Sequence, residues 1–489
     1  MDTVFSSILP VLRGGLGNLA AYLAAHVLLC LLPAFFIAGA MAALIPKETI
    51  TRFLGRNARK AVSYPAAAAA GSLLAVCSCT IVPLFAGIHK KGAGLGPAIT
   101  FLFFAPAANI LALVYTGGII GLDLAIARFL LSLVFGIGIG LIMALLFRAD
   151  DVAHDQATDS AFGAAGAQGM GRAALFFLLT WVALLLAGTL KLGVLTSSWF
   201  QFDLPLPAAP AWQAGLDQLV PFDAGKGEEG VSVQGMLLIG LLVAIGASAW
   251  RGIENIQSGA NRWTGISLGL IALTLLLAAL AIQATPGGLR IGVTGKFFGV
   301  ALALAALLQI GRRHMSEDER QDWLWESWRF VKQIFPLLVA GVFIVGMIRV
   351  LIRPEWIESL AGANTVLGNL AGVAFGVFMY FPTLVEVPIA RMFLDLGMHR
   401  GPLLAYLMAD PELSLQSILI ISAIIGRAKA WTYVALVALF STVAGLSYGA
   451  WIDGTPLLLL ALGLAGFIAA LAGLLSMASR RQTTSIKGV

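Results

Sequence analysis

Apolar stretches of about 18 residues or more follow one another along nearly the whole chain, separated by short polar segments. The pattern predicts spans at 19–45, 66–88, 97–120, 124–147, 173–195, 232–250, 264–284, 293–310, 331–352, 365–389, 402–426, 431–451 and 456–478. That is about 12 or 13 transmembrane segments, each able to cross a ~30 Å hydrocarbon core. They are continuous Leu-, Ala- and Gly-rich runs, not the short alternating segments of a membrane barrel. Backbone groups in lipid must be paired within the segment, so the expected fold is an all-α polytopic membrane protein.

Composition agrees. Of 489 residues, 59% are hydrophobic and 11% charged, where soluble domains carry about 25% charged residues. Mean hydropathy is +0.91. The net charge of +6 is expected in loops facing the cytoplasm, and it calls for no nucleic-acid partner. The first apolar run is long and precedes the basic loop Lys47–Lys60, so it reads as a retained helix. Three cysteines are too few for a disulfide scaffold. The absence of a phosphate-binding loop points to an ion gradient as energy source. No cofactor motif is present.

Prolines and glycines recur at one fixed offset. Val82-Pro83 matches Val387-Pro388, Gly96-Pro97 matches Gly401-Pro402, Pro106 matches Pro411, and Ile119-Ile120-Gly121 matches Ile424-Ile425-Gly426. These residues set backbone geometry, which marks an internal repeat. The expected organisation is a first repeat bundle over 1–147 and a second over 331–452. Between them come an inserted transmembrane segment (148–310) and a cytoplasmic linker (311–330), and a last helix with a basic tail (453–489) follows. The polar stretch Ala149–Gly171 is expected to be mobile. With the basic loops around Lys60 and Arg320 on one side, the repeats would be inverted, as in many secondary transporters. The prolines predict broken helices whose freed carbonyls line a site at the repeat interface.

Two cysteines lie one residue apart in an apolar segment: Cys77-Ser78-Cys79-Thr80, just before Pro83. Soft thiolates suit a thiophilic metal or metalloid. Positions i and i+2 face different sides of a regular helix, so both thiols converge only if the helix is broken near Pro83. Cys30 is a candidate third thiol. The second repeat supplies acids instead: Glu386 before Pro388, and Asp410 and Glu412 around Pro411, with Asn109 at the position of Ser414. Each charge costs ~2.5–3.5 kcal/mol at a helix centre, so such acids are candidates for proton coupling. Arg427 and Lys429 are their candidate ion-pair partners. His26, His89 and His399 read as terminal or interfacial.

The run Cys77-Ser78-Cys79-Thr80, Pro83-Leu84, Gly87, Gly92-Ala93, Gly96, Phe101-Leu102, Pro106 and Asn109 resembles the predicted-permease family. That family includes the trivalent organoarsenical efflux permeases and the YraQ-like permeases. Glu386-Val387-Pro388, Gly397, Gly401, Ala409-Asp410-Pro411, Ser414, Gly426 and Lys429 carry the resemblance into the second half. It implies a multi-pass bacterial inner-membrane exporter of a thiophilic species, with Cys77 and Cys79 as the thiol or metal site. The expected function is secondary-active efflux, a transporter and not an enzyme. Substrate would meet Cys77, Ser78, Cys79, Thr80, Pro83, Asn109 and Cys30, and Glu386, Asp410 and Glu412 would couple to protons or another ion. The alternative is a thiol-redox protein that moves electrons or a sulfur species across the membrane. The expected partners are membrane lipid, the small substrate, the coupling ion and possible further copies in an oligomer.

Overall fold

The computed structural model describes residues 2–25, 27–74, 78–162, 171–190, 192–220, 222–223, 228–351, 355–379 and 385–486. In chain order the principal helices begin with α1 (Asp2–Ala25), α2 (Leu32–Leu44), α3 (Lys60–Leu74), α4 (Ser78–Lys90), α5 (Leu95–Ala107), α6 (Ile110–Ile119), α7 (Leu122–Leu146), α8 (Arg148–Phe162) and α9 (Arg172–Thr189). Strand β1 (Ser198–Leu204), α10 (Val233–Gly252), α11 (Arg262–Ala278), the strands β2 (Leu280–Thr285) and β3 (Gly288–Thr294), and α12 (Gly295–Arg313) come next. The chain continues with α13 (Glu317–Leu351), α14 (Val366–Met379), α15 (Glu386–Asp395), α16 (Arg400–Leu413), α17 (Leu415–Ile425), α18 (Arg427–Ile452) and α19 (Leu457–Ile486).

Among the described residues, seven helices are long and apolar enough to cross a membrane, or up to nine if each of two bent pairs is one span. One pair joins α1 to α2 at 50°, the other α16 to α17 at 47°. Shorter apolar helices include α11, α14 and the first half of α19. The protein is an all-α polytopic membrane protein with a small amount of sheet.

The chain divides into two compact units, each assembled from three separate stretches. One comprises Met1–Thr49, Ala75–Lys91 and Ala167–Leu351; the other comprises Ile50–Leu74, Gly92–Gly166 and Ile352–Val489. In the first unit, α13 packs along α1 and α2. The expected linker 311–330 becomes, from Glu317 onward, part of one continuous 35-residue helix. Its polar first half hides an aromatic stripe. Trp323 is buried against Phe36 and Phe177, with ring centroids at 5.3 and 4.8 Å, and its Nε1 donates to Phe36 O at 3.0 Å.

The span expected at 264–284 ends early. From Leu280 the chain alternates apolar and polar residues, turns at Pro286-Gly287-Gly288 and returns as β3. Such alternation favours a hairpin over a helix. Gly288 has φ +141°, and a Cβ there would collide with Leu204 O, so a side chain is excluded. Strand β1 completes an antiparallel sheet in the order β1-β3-β2. Phe202 pairs with Ile291, which pairs in turn with Ile282, and Asp203 pairs with Arg290 through a 2.8 Å ion pair. One face is therefore apolar and the other polar.

In the second unit, α5 packs against α3 and α7, and α16 packs against α14 and α18. The stretch expected to be a mobile loop after Ala149 is helical through Phe162. It is tied down by Asp151, which accepts the Leu95 N–H at 2.9 Å, and by Asp155 near Arg56.

Candidate functional site

Cys30 and Thr80 belong to the first unit. Cys77 and the side chains of Ser78 and Cys79 lie outside the described residues. Cys30 sits in a π-helical turn, Val27–Leu31, that joins α1 to α2. Its Sγ lies 2.6 Å from the Thr80 hydroxyl on α4, and both residues are buried. Cys30 and Thr80 are thus brought together. Pro83 lies inside α4, which runs through it unbroken from Ser78. Among the described residues, no group of three His, Cys, Asp or Glu side chains is placed to hold a metal ion. His26 lies outside the described residues. His89 stacks on Phe85, and His399 opens α16, its Nδ1 accepting the Gly401 N–H at 3.1 Å.

The acids belong to the second unit, and α7 shows how they are positioned. At its start Asp123 pairs with Arg400 at 2.9 Å and accepts the Tyr448 hydroxyl at 2.8 Å. Past its other end, Asp151 holds Leu95 and Asp150 pairs with Lys429 at 2.9 Å. A 25-residue helix is about 37 Å long, so these are opposite ends. The first residue of α5 is therefore held at one end and the first residue of α16 at the other. The two helices run toward each other, and their C-termini meet, with the Glu412 carboxyl reaching the backbone of Ala107. By the same contacts α7 and α18 are antiparallel.

Both helices break there. After Ala107 the chain leaves the helix for Ala108 and Asn109 before α6, and after Leu413 it breaks at Ser414 before α17. Asn109 and Ser414 are both buried. The breaks fall a few residues after Pro106 and Pro411. The turn glycines take left-handed backbone at matched positions, with φ 87° at Gly92 and 91° at Gly397, values that L side chains rarely adopt.

The partner of the acids is Arg128. It is fully buried on α7. Its Nη2 donates to Glu386 Oε1 at 2.6 Å, its Nε to Ala107 O at 2.8 Å, and its Nη1 to the Thr116 hydroxyl at 3.4 Å. The guanidinium thus sits on the carbonyl end of α5, where the helix dipole is negative. Asp410 lies beside Glu386, and Tyr433 donates its hydroxyl to Glu412 Oε2 at 2.7 Å. Glu386, Asp410 and Glu412 are no more than 2% exposed. Glu386 Oε2 and Glu412 Oε1 find no hydrogen-bond partner among the described residues. Among the described residues, Arg128 therefore pairs with Glu386 and lies near Glu412, and Asp410 adjoins Glu386.

The expected pairing with Arg427 and Lys429 does not form. Arg427 is exposed, and Lys429, at the start of α18, bonds Asp150 instead. Arg128 was legible as an arginine in a 25-residue apolar run whose other charged residue is Asp123, at its start. Tyr433 carries no comparable signal. Outside the spans, burial pushes the Asp151 carboxyl above its ordinary range despite the Leu95 N–H. Burial and the neighbouring Lys90 push Lys91 down to about 8.

A predicted-permease family model matches residues 14–450. The UPF0718 protein MJ0584 of Methanocaldococcus jannaschii is 31% identical over 446 residues, covering 91% of this chain and 98% of that protein. The UPF0718 protein YraQ of Escherichia coli is 27% identical over 123 residues, or 25% of this chain and 35% of that protein. No solved structure matches. A near-complete family match, borne by a chain with two broken helices meeting at a buried charge network, means that this protein belongs to the predicted-permease family.

Proposed function

We propose that this permease is a secondary-active efflux system for a thiophilic substrate, such as a trivalent organoarsenical or a soft metal ion, driven by protons. The observation that supports this reading is the buried Arg128–Glu386 pair with the buried carboxyl groups of Asp410 and Glu412 close by. Charge at membrane depth is costly and is kept where it works. Arg128 can balance one carboxylate, so Glu386 and Glu412, each with an oxygen that finds no partner among the described residues, are the proposed proton carriers. Broken helices that present opposed ends are a common frame for such sites in secondary transporters.

Cys77 and Cys79 supply the thiols, with Cys30 beside Thr80 as a further candidate. A methylarsenite-type species exchanges two As–OH bonds for two As–S bonds and releases two waters. Reversal releases it with both thiols protonated and no change of oxidation state. The protein acts as a multi-pass transporter of the bacterial inner membrane, with no catalytic step of its own.

The test is resistance to methylarsenite in an export-deficient host. Cys77→Ser and Cys79→Ser each abolish protection, and Glu386→Gln abolishes pH-driven transport. Protection by both cysteine variants equal to that of the unsubstituted protein overturns the thiol site.

A further inference from the structure

Two sets of buried polar groups in the second unit lie outside the charge network but lead away from it. On α7, positions 128, 132, 136 and 140 recur one turn apart and share a face. Arg128 is followed by Ser132, fully buried, whose hydroxyl has no partner among the described residues. Next comes Thr100 of α5, also fully buried, which donates to Gly136 O at 3.1 Å. A Cβ on Gly140 would collide with the Thr100 hydroxyl, and one on Gly96 with the Tyr64 hydroxyl. Both glycines leave room for oxygen atoms. Beyond Tyr64 lies Asp151, with Arg56, His154 and Asp155 around it.

On α18, positions 433, 441, 445 and 449 share a face, with the buried Val437 between the first two. Tyr433, on Glu412, is followed by Ser441, fully buried and again without a hydroxyl partner among the described residues. A Cβ on Gly445 would collide with Asn369 Oδ1, and one on Gly449 with the Asn364 amide. Asn369 Nδ2 donates to Asn364 Oδ1 at 3.0 Å, while Asn369 Oδ1 has no partner among the described residues. This set ends at Tyr448, Asp123 and Arg400, with His399 and Asp453 beyond.

Because α7 and α18 are antiparallel, the two sets start at one network and leave it in opposite directions. They cover about 18 and 24 Å at 1.5 Å per residue. An unsatisfied buried hydroxyl or amide costs about 1–3 kcal/mol, and a bridging water with two to four polar partners relieves it. We infer that the two sets are water-bridged proton half-paths, one from the Asp151 end and one from the Asp123 end, that reach the Arg128–Glu386–Glu412 network from opposite faces of the membrane. This rests on the proposed role of the carboxyl network, and it adds the routes by which protons arrive and leave.

The experiment uses the full chain in oriented proteoliposomes. The pH is stepped on one face, and the infrared carboxyl band that Glu386→Gln removes is followed in time. Ser132→Val slows the response to a step on the Asp151 face by about a hundredfold, the lower end of what a positioned proton-transfer group contributes. Ser441→Val does the same for the Asp123 face. Ser132→Thr and Ser441→Thr, which match valine in size but keep the hydroxyl, respond like the unsubstituted protein. The half-paths are overturned if valine and threonine variants respond alike, or if either valine variant slows both faces equally. If Glu386→Gln leaves the carboxyl response unchanged, the network does not titrate, and the coupling proposal falls with the half-paths.

Discussion

Arg128 and Glu386 are 258 residues apart in the chain and 2.6 Å apart in space, both wholly buried. Removing one member of a buried pair strands the other charge, at a cost of about 3–5 kcal/mol. Arg128→Met is therefore expected to destabilise the detergent-solubilised protein by about that much, and Arg128→Met with Glu386→Gln to recover most of it. Thermal unfolding of the three proteins decides the matter. Arg128→Lys is expected to fail as a substitute, because an ammonium cannot reproduce a fork that bonds Glu386, Ala107 and Thr116 together.

Tyr433→Phe deletes the hydroxyl on Glu412 and almost nothing else. A hydrogen bond of this kind contributes about 1 kcal/mol or more. A double-mutant cycle with Glu412→Gln is expected to give a coupling energy of that size. Strictly additive effects would mean that the 2.7 Å contact carries no energy.

Lys91 gives a pH dependence with a definite sign. It is 5% exposed, close to Lys90 and within the field of Glu326, Glu48 and Asp322. Its folded pKa is about 8, below the ordinary lysine value of 10.5. The unfolded chain binds the proton more tightly, so the cost of burying the charge is fully present below pH 8. It is relieved as pH rises toward 10.5. Stability is expected to climb across that window. Lys91→Met should flatten the climb and raise stability below pH 8. A denaturation series over pH 7 to 10.5 on both proteins shows whether the slope belongs to this residue.

Gly140 and Gly118 form a matched pair of tests. A Cβ on Gly140 would press on the Gly96 carbonyl as well as on Thr100, whereas one on Gly118 meets nothing within 4 Å. Gly140→Ala is expected to cost about 1–3 kcal/mol through overpacking. Gly118→Ala should be neutral or stabilising by about 0.5–1 kcal/mol, since alanine suits a helix better. Equal effects on unfolding would contradict the close approach of α5 and α7.

The helical membrane fold was legible because apolar length alone decides it. Helix breaks follow Pro106 and Pro411 within a few residues, as the prolines suggest, but the break expected near Pro83 does not occur, because α4 runs through that proline. Arg128 was equally visible, but Arg427 and Lys429 lie nearer along the chain to Asp410. Which cation reaches a carboxylate depends on where helices cross, and spacing does not encode that. The sheet was missed because Leu280–Thr294 is apolar enough to pass for the end of one span and the start of the next. Its period of two was the available signal. The interleaving of the units had no local signature, since it depends on which surfaces α13 and α16 find.

The small sheet has a mechanical consequence. Strand β1 follows α9 and the short helix Gly193–Thr196, β2 starts two residues after α11, and β3 runs directly into α12. Antiparallel strands hold their register rung by rung, and slipping by one residue would move about 3.4 Å and exchange the apolar and polar faces. The ladder therefore acts as a cross-brace between α9 and the hairpin-linked helices α11 and α12. The sheet ends of α9, α11 and α12 are thereby tied in one register, so sliding one past another would break ladder bonds.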